Sequence, residues 1–313
     1  MKLLVIFTGG TIGSTINEEN YIGTDDHKKY MLLDRYYEAC PDKSISFDTI
    51  TPYTILSENL CGSNINILSQ CVSENQYEYD GIIITHGTDT LAYTAAGLSL
   101  LHPGIELPVV LVSSNYVLED CRSNGVVNFI SAVEFIKQRI GGIYVAYNNG
   151  DTKTYIHHGS MVLPHAPYTD RLFSLDDKCA GYIEDGKYNP VYTLKPKELP
   201  ESILSSHNNV SGFSDCSDVY YINEHPGNNY QLPAADTKAV LIATYHSGTI
   251  CTAGSRTDAF LCHCKENKIP VYLVGIEYRV QYESTKYYKA YDINIMPKIS
   301  PVLAYMLLWL ITG

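Results

Sequence analysis

Two threonine-bearing segments carry the residue types best suited to chemistry in this chain: Thr8-Gly9-Gly10-Thr11-Ile12-Gly13 and His86-Gly87-Thr88-Asp89-Thr90. A threonine hydroxyl is a weak nucleophile until a base removes its proton, and a carboxylate beside a glycine turn is costly to bury without a cationic partner. Two such loops brought together would supply a nucleophile, a hydroxyl able to hold water and an acidic anchor for an ammonium group. Taken alone, the first segment permits blander readings. A dinucleotide fingerprint needs G-x-G-x-x-G opening a helix, whereas here the glycines are adjacent and polar loop residues follow. A glycine turn whose threonines bond their own backbone is the stronger competitor, and the second loop is what tips the balance toward chemistry.

Both segments directly follow short apolar runs, Leu3–Phe7 and Gly81–Thr85, which with Pro108–Val112 and Gly142–Tyr147 read as strands buried on both faces. Thr90–Leu101 and Asn124–Arg139 between them have helical spacing. The rhythm is that of an α/β fold with a mainly parallel sheet flanked by helices, in which sites form at the carboxyl ends of strands. Beyond Gly181 the pattern dissolves into proline, serine and asparagine. It resumes with strands at 219–223, 238–244 and 270–275 and helices at 258–267 and 299–310. The expected organisation is therefore a larger N-terminal domain (1–188), a linker (189–211) and a smaller C-terminal parallel-sheet domain (212–313).

Composition narrows the function classes. With 45% hydrophobic and 18% charged residues the chain is a folded globular protein, and its net charge of -12 disfavours nucleic acid and anionic membranes as partners. Leu3–Phe7 is shorter than a signal-peptide core. The apolar stretch 301–311 falls short of the roughly 20 residues that span a bilayer, so it reads as a packed helix. Nine cysteines at scattered spacings suit reduced thiols in the cytoplasm, and Cys262-His263-Cys264 lacks the spacing and second pair of a zinc site. No metal and no cofactor are expected.

The two segments together resemble the T-G-G-T-I and H-G-T-D-T signatures of the bacterial-type L-asparaginase/glutaminase family. The resemblance continues through Leu56-Ser57-Glu58-Asn59, Asn124-Gly125 with Asn128, Tyr245–Thr249, Lys286-Tyr287 and Pro297-Lys298. It implies a cytoplasmic threonine amidohydrolase of two α/β domains, assembled as a homodimer or homotetramer, that hydrolyses L-asparagine through an acyl-enzyme. By the same resemblance Thr11 is the nucleophile, Thr88 holds the hydrolytic water and Asp89 binds the substrate ammonium. Ser57 and Glu58 line the carboxylate loop. A tyrosine on the loop after the first signature activates Thr11: Tyr21, with Tyr30 as the alternative. The acidic residue from the C-terminal domain is Glu283, although the flanking Lys286-Tyr287 would place Gln281 there.

Two departures stand out. The family lysine that pairs with the second threonine falls here on Pro164. Lys153 comes too early to replace it, whereas the adjacent His165 is a general base of suitable pKa or a structural imidazole beside a proline. Second, Ser113–Val117 replaces a methionine-arginine-proline turn, altering the floor of the site or its subunit contacts. Two other functions compete with hydrolysis of a free amino-acid amide. One is an ammonia-supplying amidotransferase-type subunit, which would carry an extra domain before the first strand and bind tRNA. The other is a weakly active or non-catalytic amino-acid-binding relative, motivated by the missing lysine.

Overall fold

The run Leu3-Leu4-Val5-Ile6-Phe7 has no polar side to turn to water, and in the computed structural model it forms strand β1 (Lys2–Phe7), buried at every position after Lys2. The structure describes residues 1–16, 22–24, 30–40, 44–195, 198, 212–277 and 282–313. After β1 come a small antiparallel ribbon, β2 (Ser14–Ile16) with β3 (Ile22–Thr24), then helix α1 (Met31–Ala39) and strand β4 (Ser46–Ile50). Helix α2 (Gly62–Asn75), β5 (Gly81–Thr85), α3 (Leu91–Leu101), β6 (Pro108–Val112), α4 (Gly125–Ile136) and β7 (Gly142–Asn148) follow. Three more strands, β8 (Thr154–His158), β9 (Gly181–Glu184) and β10 (Lys187–Pro190), complete an eight-stranded sheet of order β10-β9-β8-β7-β6-β5-β1-β4.

The five strands from β4 to β7 in that order are parallel, while β8, β9 and β10 extend the sheet antiparallel. Helices flank it as the sequence predicts. Leu32 and Tyr36 of α1 and Phe129, Val133 and Ile136 of α4 share a core with Val5, Ile83, Val110 and Tyr144, the residues of one sheet face. The alternating residues Leu4, Ile6, Ile82 and Ile84 are equally buried and turn the other way, and α2 and α3 pack on each other.

The chain divides into two compact units, Met1–Ser206 and His207–Gly313. Most of the expected linker, 189–211, lies outside the described residues. The second unit holds a four-stranded parallel sheet in sequence order: β11 (Val219–Asn223), β12 (Ala239–Ala243), β13 (Val271–Val274) and β14 (Asn294–Ile295). Its helices are α5 (Ser255–Glu266), α6 (Lys286–Ala290) and α7 (Pro301–Thr312). Ser300 caps α7, its Oγ accepting from the Leu303 N–H at 3.0 Å with proline at the first helical position, where a missing donor costs nothing. Among the described residues, no helix is long and apolar enough to cross a membrane.

Candidate active site

The register sets the site. Phe7 pairs with Thr85 and Thr85 with Val112, so β1, β5 and β6 end level and their following loops emerge side by side. From β1 the chain crosses to β4 on one side, and from β5 it proceeds to β6 on the other. The β1/β5 boundary is thus the switch point at which open α/β sheets place ligands.

Glycine lets the two loops meet there. Gly9 and Gly10 adopt φ of 98° and 73°, open to glycine and strained for other residues. Gly9 bridges Ile55, the Gly10 N–H donates to the Ile55 carbonyl at 3.2 Å, and the Ile55 N–H donates to the Thr8 carbonyl at 3.0 Å. A Cβ on Gly10 would stand 2.4 Å from the Gly87 nitrogen, and one on Gly87 would stand 2.4 Å from Ser57 Cβ. Three segments distant in sequence therefore touch with no room for a methyl group, and Thr11 and Thr88 follow immediately after the two contacting glycines. Thr11 opens a 3-10 turn, Thr11–Gly13, and is half-buried.

Side chains tie the junction together. Thr8 Oγ1 donates to the Thr85 carbonyl at 2.6 Å, Thr90 Oγ1 to the Ser57 carbonyl at 2.9 Å, and Ser57 Oγ to Asp89 Oδ2 at 3.2 Å. Ser57 is buried on a 3-10 turn, Ser57–Asn59, whereas Glu58 beside it and Asp89 opposite are exposed. His86 is the strut of the second loop. Its Nδ1–H donates to the Gly87 carbonyl and its Nε2 accepts from Thr94 Oγ1, both at 2.9 Å, a tautomer that the carbonyl partner dictates. Burial holds this imidazole below its ordinary pKa, so it stays neutral. An asparagine lattice secures the neighbouring strand ends: Asn128 Nδ2 donates to the Ser113 carbonyl, Asn124 Nδ2 to the Asn148 carbonyl, and the Asn148 N–H to Asn128 Oδ1.

Pro164 is exposed, but His165 turns inward: both ring nitrogens are buried and neither completes a hydrogen bond. Its ring meets that of Tyr147 edge to face at 5.0 Å between centroids. Burial lowers the His165 pKa, opposed by the Thr88 backbone and by the charges of Asp170 and Asp89. His165 is thus a neighbour of the Thr88–Asp89 loop. Lys153 is engaged elsewhere, its Nζ 4.4 Å from the centre of the Tyr182 ring.

Of the other predicted site residues, Tyr21 lies outside the described residues, and Tyr30 is an exposed aromatic whose ring stands 6.4 Å from that of Phe7. Glu283 belongs to the second unit, where it is exposed and pairs with Lys286 at 3.2 Å. Sequence reasoning missed Tyr147 and His157, both buried and both on the sheet near His165. The signal available was a histidine inside the strand pattern Tyr155-Ile156-His157-His158, where a polar ring is costly unless it has a task. Among the described residues no cluster of His, Cys, Asp and Glu could hold a metal ion. A cavity of about 360 Å³ lined by His102, Glu106, Tyr144 and His158 opens near the amino-terminal end of β7, at the other end of the sheet from the loops.

The fold is a two-unit α/β architecture with a loop junction at the switch point of its larger sheet, and likeness to known proteins gives its family. The family model "Asparaginase, N-terminal" matches residues 2–189, and the chain belongs to this family. An L-asparaginase of Thermococcus kodakarensis is 35% identical over 150 residues, 47% of this chain and 44% of that protein. A glutamyl-tRNA(Gln) amidotransferase polypeptide of Methanococcus maripaludis is 30% identical over 184 residues, 56% of this chain and 42% of that protein. The match thus spans less than half the length of these curated relatives. The solved structure of the thermostable L-asparaginase from Thermococcus kodakarensis shares the fold, with a TM-score of 0.78 at 24% identity over 99% of this chain and 92% of that one.

Proposed function

We propose that this protein hydrolyses the side-chain amide of L-asparagine to L-aspartate and ammonia through an acyl-enzyme on Thr11. The observation that supports this most is the junction of Gly10, Gly87 and Ser57 at the topological switch point, which carries Thr11, Thr88 and Asp89 together. In this reading Thr11 Oγ attacks the amide carbon, and a tyrosine, Tyr21, takes the hydroxyl proton. Backbone N–H groups of the two loops face the developing oxyanion, a contribution worth about 3–4 kcal/mol per donor in other enzymes. Collapse of the tetrahedral intermediate, with Tyr21 passing the hydroxyl proton to the amide nitrogen, breaks the C–N bond, expels ammonia and leaves an ester on Thr11.

Water held by Thr88 then attacks the ester and His165 accepts its proton; the C–O bond to Thr11 breaks, Thr11 Oγ recovers a proton, and L-aspartate is released. Burial suits His165 to this role, because a depressed pKa keeps the ring neutral and able to accept at neutral pH. Asp89 anchors the α-ammonium, while Ser57 and the turn with Glu58 bind the α-carboxylate. The protein works as a cytoplasmic homo-oligomer without a cofactor, metal, nucleic acid or membrane.

Purified protein is tested for ammonia release from L-asparagine, L-glutamine and their D-isomers, beside Thr11→Ala. Release from L-asparagine that disappears in Thr11→Ala is the expected result; release no greater than from Thr11→Ala overturns the reading. The match to an amidotransferase polypeptide favours a second reading, in which the ammonia is handed to a partner. Free L-asparagine would then be a poor substrate for the isolated chain, and turnover would depend on that partner.

A further inference from the structure

Six buried polar side-chain atoms have no hydrogen-bond partner among the described residues, and five of them come from four residues: Ser113 Oγ, Tyr147 Oη, His157 Nε2 and both nitrogens of His165. Buried polar groups are almost always paired, so such a concentration in one place is informative. The register explains the gathering. Val112 pairs with Ala146 and Val145 with His157, which puts Ser113, Tyr147 and His157 on one face of the sheet, the first two at the carboxyl ends of β6 and β7 and His157 opposite the middle of β7. Tyr147 is fully buried and His157 is 2% exposed. His157 spends Nδ1 on Ser174 Oγ at 2.8 Å and keeps Nε2 unpaired. The Tyr147 ring edge contacts His165, and the Asn124 amide lies beside the Tyr147 oxygen without completing a hydrogen bond.

We propose that Tyr147 and His157 are positioning residues for His165, their unpaired Oη and Nε2 joined to one nitrogen of the His165 ring through a shared bound water that fixes one neutral tautomer beside the Thr88 backbone. The inference rests on the reading of His165 as the base at Thr88. A phenol offers one donor and two acceptor sites, an imidazole one of each, and a water two of each, so Tyr147 Oη, His157 Nε2 and one nitrogen of His165 are of the types one such bridge satisfies. The surrounding charge fits a ring that must stay neutral while resting and accept a proton during turnover. Asp170 on the segment after β8 and Asp89 on the Thr88 loop face His165 and favour its protonated form, while burial opposes it, and His157 on β8, itself held neutral by burial, adds no charge. Tyr147, held neutral because burial raises its pKa to about 12, adds no charge.

The test uses full-length protein with 15N-labelled histidine. The His165 ring signals are assigned by their loss in His165→Gln, and tautomer and titration are followed with ammonia release in the same samples. In wild type a single neutral tautomer is expected down to pH values below 6.5. Tyr147→Phe removes only the hydroxyl; it is expected to mix the tautomers, move the titration and the acidic limb of the rate profile together, and lower kcat by about tenfold, part of the roughly 10²–10⁴ that a positioned base contributes. His157→Asn keeps the Nδ1 contact and loses the atom at Nε2, whereas His157→Gln keeps a polar atom near Nε2. The first should behave like Tyr147→Phe and the second should recover most of the wild-type profile. Unchanged His165 tautomer and titration in folded Tyr147→Phe, or in His157→Asn should the tyrosine variant not fold, overturn the positioning role. Wild-type turnover in His165→Gln instead overturns the base reading, and the tautomer measurements still decide whether Tyr147 and His157 hold the ring.

Discussion

The loop after β5 and the segment after β8 both bring a histidine with buried ring nitrogens to the carboxyl end of one sheet, yet they treat it in opposite ways. His86 has a partner at each ring nitrogen, whereas His165 has none. The saturated ring is scaffold: it holds Gly87 and hence Thr88 where Gly10 and Ser57 can touch the loop. The unsaturated ring has the free lone pair that acid–base chemistry uses, and the fold bears the burial of its polar atoms to keep it there. Polar satisfaction therefore sets His86, which holds the Thr88 loop, apart from the unsatisfied group of His165, Tyr147 and His157, a distinction residue type alone does not make.

Substitutions can break or sharpen that contrast. The largest effect belongs to the nucleophile: Thr11→Ala should lower kcat by more than about 10³-fold, since no other group on the proposed path forms the covalent bond. Steady-state ammonia release with unchanged circular dichroism checks this. His165→Gln should lower kcat by about 10²-fold while leaving urea stability near wild type, because glutamine keeps a polar side chain of similar size at that position. The scaffold side should behave in reverse. Gly10→Ala drives a methyl group into the Gly87 backbone at positive φ and should cost about 1–3 kcal/mol in urea unfolding, with activity lost alongside. Thr94→Val strips His86 Nε2 of its donor and should cost about 1–3 kcal/mol by the same measurement, with kcat changed less than in His165→Gln.

The remaining effect is a slope of stability with pH. Burial holds His157 at about 3 against an unfolded value of 6.5, so between those values the unfolded chain binds a proton that the folded chain refuses. Stability from this group is complete above pH 6.5 and declines as pH falls toward 3, and His86 and His165 add in the same direction. Thermal unfolding from about pH 7 to about pH 4 should show Tm falling with pH, and His157→Gln should flatten the slope.

How far the sequence could be read follows from the same physics. The strands carrying the two loops were legible because burial on both faces forces continuous apolar runs, and the loops were legible because close backbone contact requires glycine. Helix α2 was not, although Ile65, Leu68 and Val72 are its buried stripe, because the intervening Ser, Asn and Gln resemble a loop. The antiparallel strands β8 to β10 were hidden because histidine, tyrosine and asparagine break up their apolar pattern. His165 was legible as a candidate beside Pro164 but not as an inward-facing ring. That depends on Tyr147, which is brought to it by the packing of β7 and not by any spacing along the chain. Tyr21 lies outside the described residues and remains part of the proposal.

Covalent capture tests the central claim most directly. Protein mixed with L-asparagine and quenched in acid within one turnover is digested, and the peptide spanning Thr8–Gly13 is weighed by mass spectrometry. An added aspartyl mass on that peptide, absent from Thr11→Ala and accumulating in His165→Gln as deacylation slows, is the predicted result. An adduct on the peptide carrying Thr88, or sustained ammonia release from Thr11→Ala, would contradict it.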